Sequence, residues 1–451
     1  MTPLVMKFGG TSVADAACLR RVAALVEAEL PRAPLVVLSA AAKTTDALFS
    51  AARAASAGDV AAALDVFEGV AARHRGIARD LDLHGDDELT RALEGRFAEL
   101  EALLRGVALA RDLTPVSTDA IVAMGERFST KLFAALLRRR GTPVALVPAE
   151  EVIRTDARHG AAQPIFDEVR RLAEARLGPL LGPGRVVVTQ GYVGADDEGR
   201  TTTLGRGGSD FSAALLGGAL RASEVQIWTD VEGILSADPR VAPAALPVAE
   251  MSFAEAAELA AFGAKVLHPA TIQPAAENDV PVTVRHTERP QRRITRITRR
   301  GGSGRPVTSL ASRGPVTVVT AASNRMLNQP GFLARLFAAF GRLGVSVDVV
   351  ATAEVSVSVT VEADAPLEAL AEELRDVATT SFARDRAIVA VVGEQLKRTP
   401  GLPARILAAV GDDEVEMVSM GANEINLTLV VRRERAHDVV RRLHRALLEP
   451  S

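Results

Sequence analysis

Gly199-Arg200-Thr201-Thr202-Thr203-Leu204-Gly205-Arg206-Gly207-Gly208-Ser209-Asp210 is the stretch on which the reading of this chain turns. It follows Val186-Val187-Val188, an apolar run of the kind buried on both faces of a sheet, and opens onto a helical segment, Phe211–Leu220. Gly205, Gly207 and Gly208 with Arg206 and several hydroxyls, just before a helix N-terminus, form an anion-binding composition. Arg206 can grip a carboxylate with two parallel hydrogen bonds. Asp210 is placed either to cap the helix or to orient Lys7 or a metal-bound phosphate.

Outward from this stretch, the chain alternates between short apolar runs and amphipathic segments. Leu4–Phe8, Leu35–Leu38, Val144–Val147, Val225–Trp228 and Val280–Val284 read as strands. Residues 12–29, 46–112, 119–140 and 164–175 read as helical, with Ser117-Thr118-Asp119 as N-caps for the third. This alternation implies an α/β fold, a mostly parallel sheet sandwiched by helices. The 451 residues are 48% hydrophobic and 24% charged, enough for two to four domains with large cores. With 53 Lys+Arg against 56 Asp+Glu, no whole-chain charge draws the protein to nucleic acid or membrane. Cys18 is the only cysteine, so no internal disulfide forms, and the absence of a signal-peptide pattern implies a cytoplasmic protein.

After residue 288 the character changes. Arg289, Arg292, Arg293, Arg296, Arg299, Arg300 and Arg305 crowd a segment read as a linker or exposed edge; no aromatics are interleaved to stack on bases. Beyond it the chain repeats itself at a spacing of 70 residues: Pro330-Gly331 returns as Pro400-Gly401, Ala334-Arg335 as Ala404-Arg405, Gly341 as Gly411, Val345 as Val415 and Glu354 as Glu424. Each copy reads strand, Pro-Gly turn, helix, two strands, helix. That order resembles the ACT domain, a ligand-sensing α+β module that pairs to bind amino acids.

Three further motifs carry chemistry. Lys7-Phe8-Gly9-Gly10-Thr11-Ser12 ends the first strand, where glycines let backbone N–H groups approach an anion. It is not a Walker A loop. Trp228-Thr229-Asp230-Val231-Glu232-Gly233-Ile234, followed by Asp238-Pro239-Arg240, lies at the C-terminal end of a strand, where open α/β sheets place ligands. Phe262-Gly263-Ala264-Lys265-Val266-Leu267-His268-Pro269 offers Lys265 to phosphates, with His268 read as structural. No Ser-His-Asp or Cys-His set accompanies these motifs.

Taken in order over essentially the whole chain, these stretches resemble the aspartokinases, a branch of the amino acid kinase family. The single-function, lysine-sensitive type is the nearest in pattern, and the length of the chain agrees with it. The resemblance implies an amino acid kinase fold at 1–295, a linker at 296–313 and ACT-like domains at 314–381 and 382–451, the last segment being a candidate to complete the first of these. It implies an enzyme that phosphorylates L-aspartate with ATP and Mg²⁺, working as a homodimer or dimer of dimers. The alternatives are a sister kinase acting on glutamate or an N-acetylated amino acid, and a catalytically dead sensor.

Residue by residue, the resemblance assigns Lys7 to the phosphoryl group in transfer and Gly9 and Gly10 to the phosphates. Thr45 and Glu126 contact aspartate, Arg206 binds a substrate carboxylate, and Ser209 and Asp210 line the same site. Thr229, Asp230, Leu235, Arg240, Lys265 and Val266 fall at the nucleotide; Leu235 stands where the family often has a tyrosine. No side-chain metal ligand is implied. Glu126 has no Lys or Arg three or four residues away, so a surface helix pair does not explain it. Met326, Phe332, Leu333, Ser346, Asp348, Ala353 and Glu354 match effector positions of lysine-sensitive relatives. Ala353 replaces their usual serine, leaving L-lysine or another effector such as threonine open. Asp348 and Glu354 together suit a cationic amino acid; the second copy has Val418 in place of Asp348.

Overall fold

The computed structural model describes residues 2–263, 269–302, 304–327, 329–421 and 423–449, with the backbone alone at 269–271. The chain groups into two compact units, Met1–Ile234 with Val266–Arg300, and Leu235–Lys265 with Gly301–Ser451. Residues 235–265, read from sequence as part of the first domain, thus cluster with the second unit.

In the first unit, β1 (Leu4–Phe8), β2 (Pro34–Leu38), β3 (Val144–Leu146), β4 (Val186–Gln190) and β7 (Glu224–Thr229) run parallel in the order β3-β4-β2-β1-β7. Val282–His286 adds a further parallel strand beside β7, and Thr295–Thr298 pairs antiparallel with it. Every residue of β1, β2 and β4 is buried, which is why these runs are apolar without alternation. Between β4 and β7 a two-stranded antiparallel hairpin, β5 (Val193–Ala195) and β6 (Thr201–Thr203), stands apart from the sheet.

Alternate residues of β1 point to opposite faces. Met6 and Phe8 join Val36, Leu38, Leu48, Phe97, Phe128 and Phe133 in one core, to which the helices Thr44–Ser56, Val60–Asp80, Asp87–Ala110 and Met124–Arg139 contribute. Val5 faces the other way, toward helix Gly208–Ala219: a methyl added at Gly217 would lie 2.4 Å from Val225 and 3.9 Å from Val5. Lys7 shares that face, so strand periodicity aims it at the helix that carries Asp210.

One expected boundary moves. The helix starts at Pro115, capped by Thr114 through the Ser117 N–H at 3.1 Å, runs to Val122, and a second helix follows from Met124. Proline suits the first helical position, where its missing N–H costs nothing. Ser117-Thr118-Asp119 therefore lie inside a helix rather than capping one.

The second unit holds a six-stranded antiparallel sheet in the order Val350–Thr352, Ser356–Glu362, Ser309–Ala322, Thr379–Val392, Asn426–Arg432, Val415–Met420. The two long central strands are shared. Residues 316–322 pair with 356–362 in the first module, whereas 309–313 pair with 388–392 in the second. The expected linker is thus partly strand. The C-terminal helix Ala436–Leu447 packs with Val389, Leu429 and Ile406, completing the second module rather than the first. Both repeats keep their expected order, with helices Phe332–Arg342 and Leu402–Val410 after the two Pro-Gly turns.

Candidate active site

The turns that leave β1, β2 and β4 meet at the C-terminal edge of the parallel sheet, the place where open α/β sheets bind ligands. Lys7, only 8% exposed, reaches Asp210 with Nζ 2.6 Å from Oδ1. Asp210 sits in the first turn of helix Gly208–Ala219, whose N-cap is Gly207, so it is an ion-pair partner of Lys7 and not the cap. Little water screens a pair this enclosed.

The turn after β1 is held by neighbouring strand ends. Gly9 N–H donates to the Trp228 carbonyl at 3.3 Å, and the Gly10 carbonyl accepts from Ala42 N–H at 3.0 Å. A Cβ on Gly10 would lie 2.8 Å from the Ala40 carbonyl, so only glycine lets the two loops close this tightly. At the end of β4 the same holds for Gly191, where a Cβ would meet Ser209 at 2.6 Å. Ser209 is thereby set against the strand end, half-buried.

Glu126 lies in the first turn of helix Met124–Arg139 and is buried. Its Oε1 accepts from Ala40 N–H at 3.1 Å, while Oε2 is buried without a hydrogen-bond partner. Loss of hydration pushes its pKa from 4.5 up to about 8, against the opposing pull of the Ala40 N–H. Several neighbouring side chains hold its helix in place. Thr130 donates to the Glu126 carbonyl at 2.8 Å, Gln190 donates to Thr130 at 2.9 Å, and Ser129 donates to the Ser39 carbonyl at 2.8 Å. Oε2 is thus the one carboxyl oxygen of Glu126 left without a partner, beside neighbours whose hydrogen bonds are made.

The Gly199–Asp210 stretch is pinned from two sides. Arg127 donates to Thr201 at 2.8 Å and pairs with Glu150. Asp119, which sequence reading took for a cap, is buried and accepts from Thr203 Oγ1 at 2.6 Å, Thr203 N–H, Gly160 N–H and His159 Nδ1 at 2.9 Å. With β6 fixed, Arg206 projects from the following turn, exposed and without an ion-pair partner among the described residues. Thr45 is half-buried in the first turn of its helix. Beside it Thr44, which was not singled out, is buried with Oγ1 unpartnered. Tyr192 was also missed. Its left-handed backbone, φ 68°, and its contact with Gly208, where a Cβ would lie 2.6 Å away, press it against the Ser209 helix. Its position directly after a strand-ending glycine was the available signal.

The expected nucleotide residues are placed as follows. Thr229 ends β7, half-buried, and donates to exposed Asp230 at 3.1 Å. Trp228 is buried and stacks on Phe8, with ring centroids 5.8 Å apart. In the second unit Leu235 is half-buried and bridges to Pro247, and exposed Arg240 grips Asp238 through Nε at 3.0 Å and Nη2 at 2.6 Å. Lys265, Val266 and His268 lie outside the described residues.

Of the effector positions, Phe332 is buried in the first module's core and Met326 packs against it. Leu333, Ser346, Ala353 and Glu354 are exposed. Asp348 already has a partner within the chain: Arg313 pairs with both Asp348 and Glu362, each at 2.6 Å. The strand Ser309–Ala322 carries that arginine alongside the acids. In the second module Glu424 is paired as well, with Arg398 at 3.0 Å.

This fold and site define an amino acid kinase joined to sensing modules. Residues 2–286 match the amino acid kinase family, and 319–372 with 389–447 match the ACT domain. The chain is 38% identical to the lysine-sensitive aspartokinase 3 of Escherichia coli strain K12 over 99% of each chain. It superposes with a TM-score of 0.86, at 37% identity, on the crystal structure of E. coli aspartokinase III in complex with aspartate and ADP, over 99% of this chain and 100% of that one. With the same enzyme in complex with lysine and aspartate the TM-score is 0.81, at the same identity and coverage. The chain belongs to the aspartokinase family.

Proposed function

We propose that this aspartokinase moves the γ-phosphoryl group of ATP to the β-carboxylate of L-aspartate, with Lys7 stabilising the group in transfer and Asp210 holding Lys7 in place. The observation that carries the assignment is the enclosed Lys7–Asp210 pair at a helix N-terminus, beside the glycine turn after β1. The β-carboxylate, with a pKa of about 3.9, is ionised at neutral pH, so no general base is required. What the reaction needs is alignment and neutralisation of two anions. Lys7, the Gly9-Gly10 backbone and the N-terminus of helix Gly208–Ala219 supply that.

Glu126 takes the substrate ammonium at its unpartnered oxygen, Arg206 takes a substrate carboxylate, and Thr45 and Ser209 line the same pocket. Thr229, Asp230, Leu235, Arg240, Lys265 and Val266 are assigned to the nucleotide. Among the described residues no group of three or more His, Cys, Asp or Glu side chains could hold a metal ion. Mg²⁺ is assigned to the nucleotide phosphates, where it would neutralise charge. L-Lysine is the proposed effector, bound by the first module in a dimer. Among the described residues no helix is long and apolar enough to cross a membrane. With a single cysteine besides, a cytoplasmic location fits.

The test is acyl-phosphate formation trapped with hydroxylamine. It should depend on both ATP and L-aspartate and fail with L-glutamate and N-acetylated amino acids. A hydroxamate formed faster from one of the latter would replace aspartate as the substrate.

A further inference from the structure

In the second unit Ser236, His444 and Glu449 form a chain of hydrogen bonds that the phosphotransfer chemistry does not use. Ser236 Oγ lies 2.9 Å from His444 Nε2, and His444 Nδ1 lies 3.0 Å from Glu449 Oε1. A carboxylate only accepts, so Nδ1 carries the proton and Nε2 accepts from the serine hydroxyl. The same hydroxyl accepts from Leu246 N–H at 2.8 Å. The serine backbone is tied as well: its N–H donates to the Leu246 carbonyl and its carbonyl accepts from Leu310 N–H, both at 2.7 Å.

The order serine, histidine, acid imitates a hydrolase triad, but Ser236 is 2% exposed and His444 0%, so no substrate reaches the hydroxyl. What the chain of bonds does reach is structure. His444 belongs to the C-terminal helix of the second ACT module, and Ser236 stands between Leu235 and Arg240, both assigned above to the nucleotide. Ala237, Val241 and Ala242 are buried in the same core as Leu310, Val389, Leu443 and Leu448. A second tie lies further along. Glu258, on helix Phe253–Ala261, accepts from Asn423 at 2.7 Å and from Asn426 at 2.5 Å, and both asparagines belong to the second module. In the sequence, Lys265 follows that helix by four residues.

We propose that the second ACT module is a clamp on the nucleotide-binding segment 235–265, with His444, acting through Ser236, and Asn426, acting through Glu258, as positioning residues for ATP. Ala237, Val241 and Ala242 of the segment lie in the core of this module, and hydrogen bonds tie it there at Ser236 and at Glu258. The inference rests on the assignment of Arg240 and Lys265 to the nucleotide. It adds that a change in the second module is felt first as a change in ATP binding and not in aspartate binding.

The experiment measures KM for ATP and for aspartate separately in the full-length enzyme, with thermal unfolding alongside. Ser236→Ala and His444→Gln should each raise the ATP KM by about threefold to tenfold, the range of one lost hydrogen bond, and leave the aspartate KM within about twofold. The double variant should be no worse than the worse single one, because the two act through one bond. Ser236→Thr, which keeps the hydroxyl, should restore the parental ATP KM. Glu258→Gln tests the second tie and serves if the His444 variant does not fold; it too should raise the ATP KM alone. A lower melting temperature with an unchanged ATP KM in Ser236→Ala and Glu258→Gln would overturn the clamp, as would equal rises in both KM values. Arg240→Ala separates this failure from that of the underlying assignment. If Arg240→Ala raises the ATP KM and Ser236→Ala does not, the clamp is wrong; if Arg240→Ala has no effect, the assignment of 235–240 to the nucleotide is what fails.

Discussion

Glu126 concentrates the chemistry of the site in one side chain. Its carboxyl is buried, half-satisfied by one backbone N–H, and titrates near 8 in the folded chain against 4.5 ordinarily. The folded state therefore keeps a proton that the unfolded state gives up. This group's contribution to stability is whole below about pH 4.5, declines as the pH rises, and is gone above about pH 8. Glu126→Gln removes the titration. At about pH 9 the variant should melt at a higher temperature than the parent, and at about pH 5 the two should converge. Aspartate binding should suffer in the opposite sense, with KM raised at least about tenfold, because an amide, unlike a carboxyl group, cannot give up a proton to become the counter-charge of an ammonium. An equal melting gap at both pH values would mean that burial of the carboxylate is not the cause. Lys7 is the complementary case. Lys7→Ala should lower kcat by well over about tenfold, more than ~1.4 kcal/mol of transition-state stabilisation, with the circular dichroism spectrum unchanged. Retention of a tenth or more of the parental kcat would remove Lys7 from the transition state.

At the scale of elements, the strands were legible because burial on both faces leaves an unbroken apolar run, and β1 and β2 fall within a residue of their expected limits. The Lys7–Asp210 meeting was legible too, since strand periodicity and a glycine-rich helix start each constrain one partner. Asp119 was not. Ser117-Thr118-Asp119 has the local composition of a cap, and nothing nearby in sequence reveals that its carboxylate serves Thr203, 84 residues away, and Gly160. Long-range hydrogen bonds of this kind leave no periodic trace. Their cost does show. Asp119→Ala strands a buried hydroxyl and N–H groups, so the unfolding free energy should fall by about 2 kcal/mol or more in a urea titration. Because Asp119 anchors β6 just ahead of Arg206, the aspartate KM should rise in the folded variant. A fall in stability with an unchanged KM would confine Asp119 to holding the fold.

At the scale of the whole molecule, the 70-residue repeat announced two modules but not how they divide the chain. The strands 309–322 and 379–392 each serve both modules, and Ala237, Val241 and Ala242 join the second module's core. A linear reading cannot see one strand shared by two domains. One of these shared strands also touches the proposed effector site. Arg313, on the first of these strands, holds Asp348 and Glu362 at 2.6 Å each. A lysine effector whose ammonium seeks Asp348 therefore meets a guanidinium already there, and binding favours whichever arrangement releases it. Two variants give opposite outcomes. Asp348→Ala removes the acceptor and should raise the inhibitory lysine concentration more than about tenfold, the loss of one charged contact. Arg313→Ala frees the acceptor and should lower that concentration by about threefold or more, since Glu362 is exposed enough to be solvated when left alone. The assay is phosphotransfer by the parent and both variants over lysine concentrations up to several tens of millimolar. An uninhibited parent removes lysine as the effector, and unchanged inhibition of Asp348→Ala removes Asp348 from its site. Weaker inhibition of Arg313→Ala makes the arginine a support of the lysine site in place of a competitor for it.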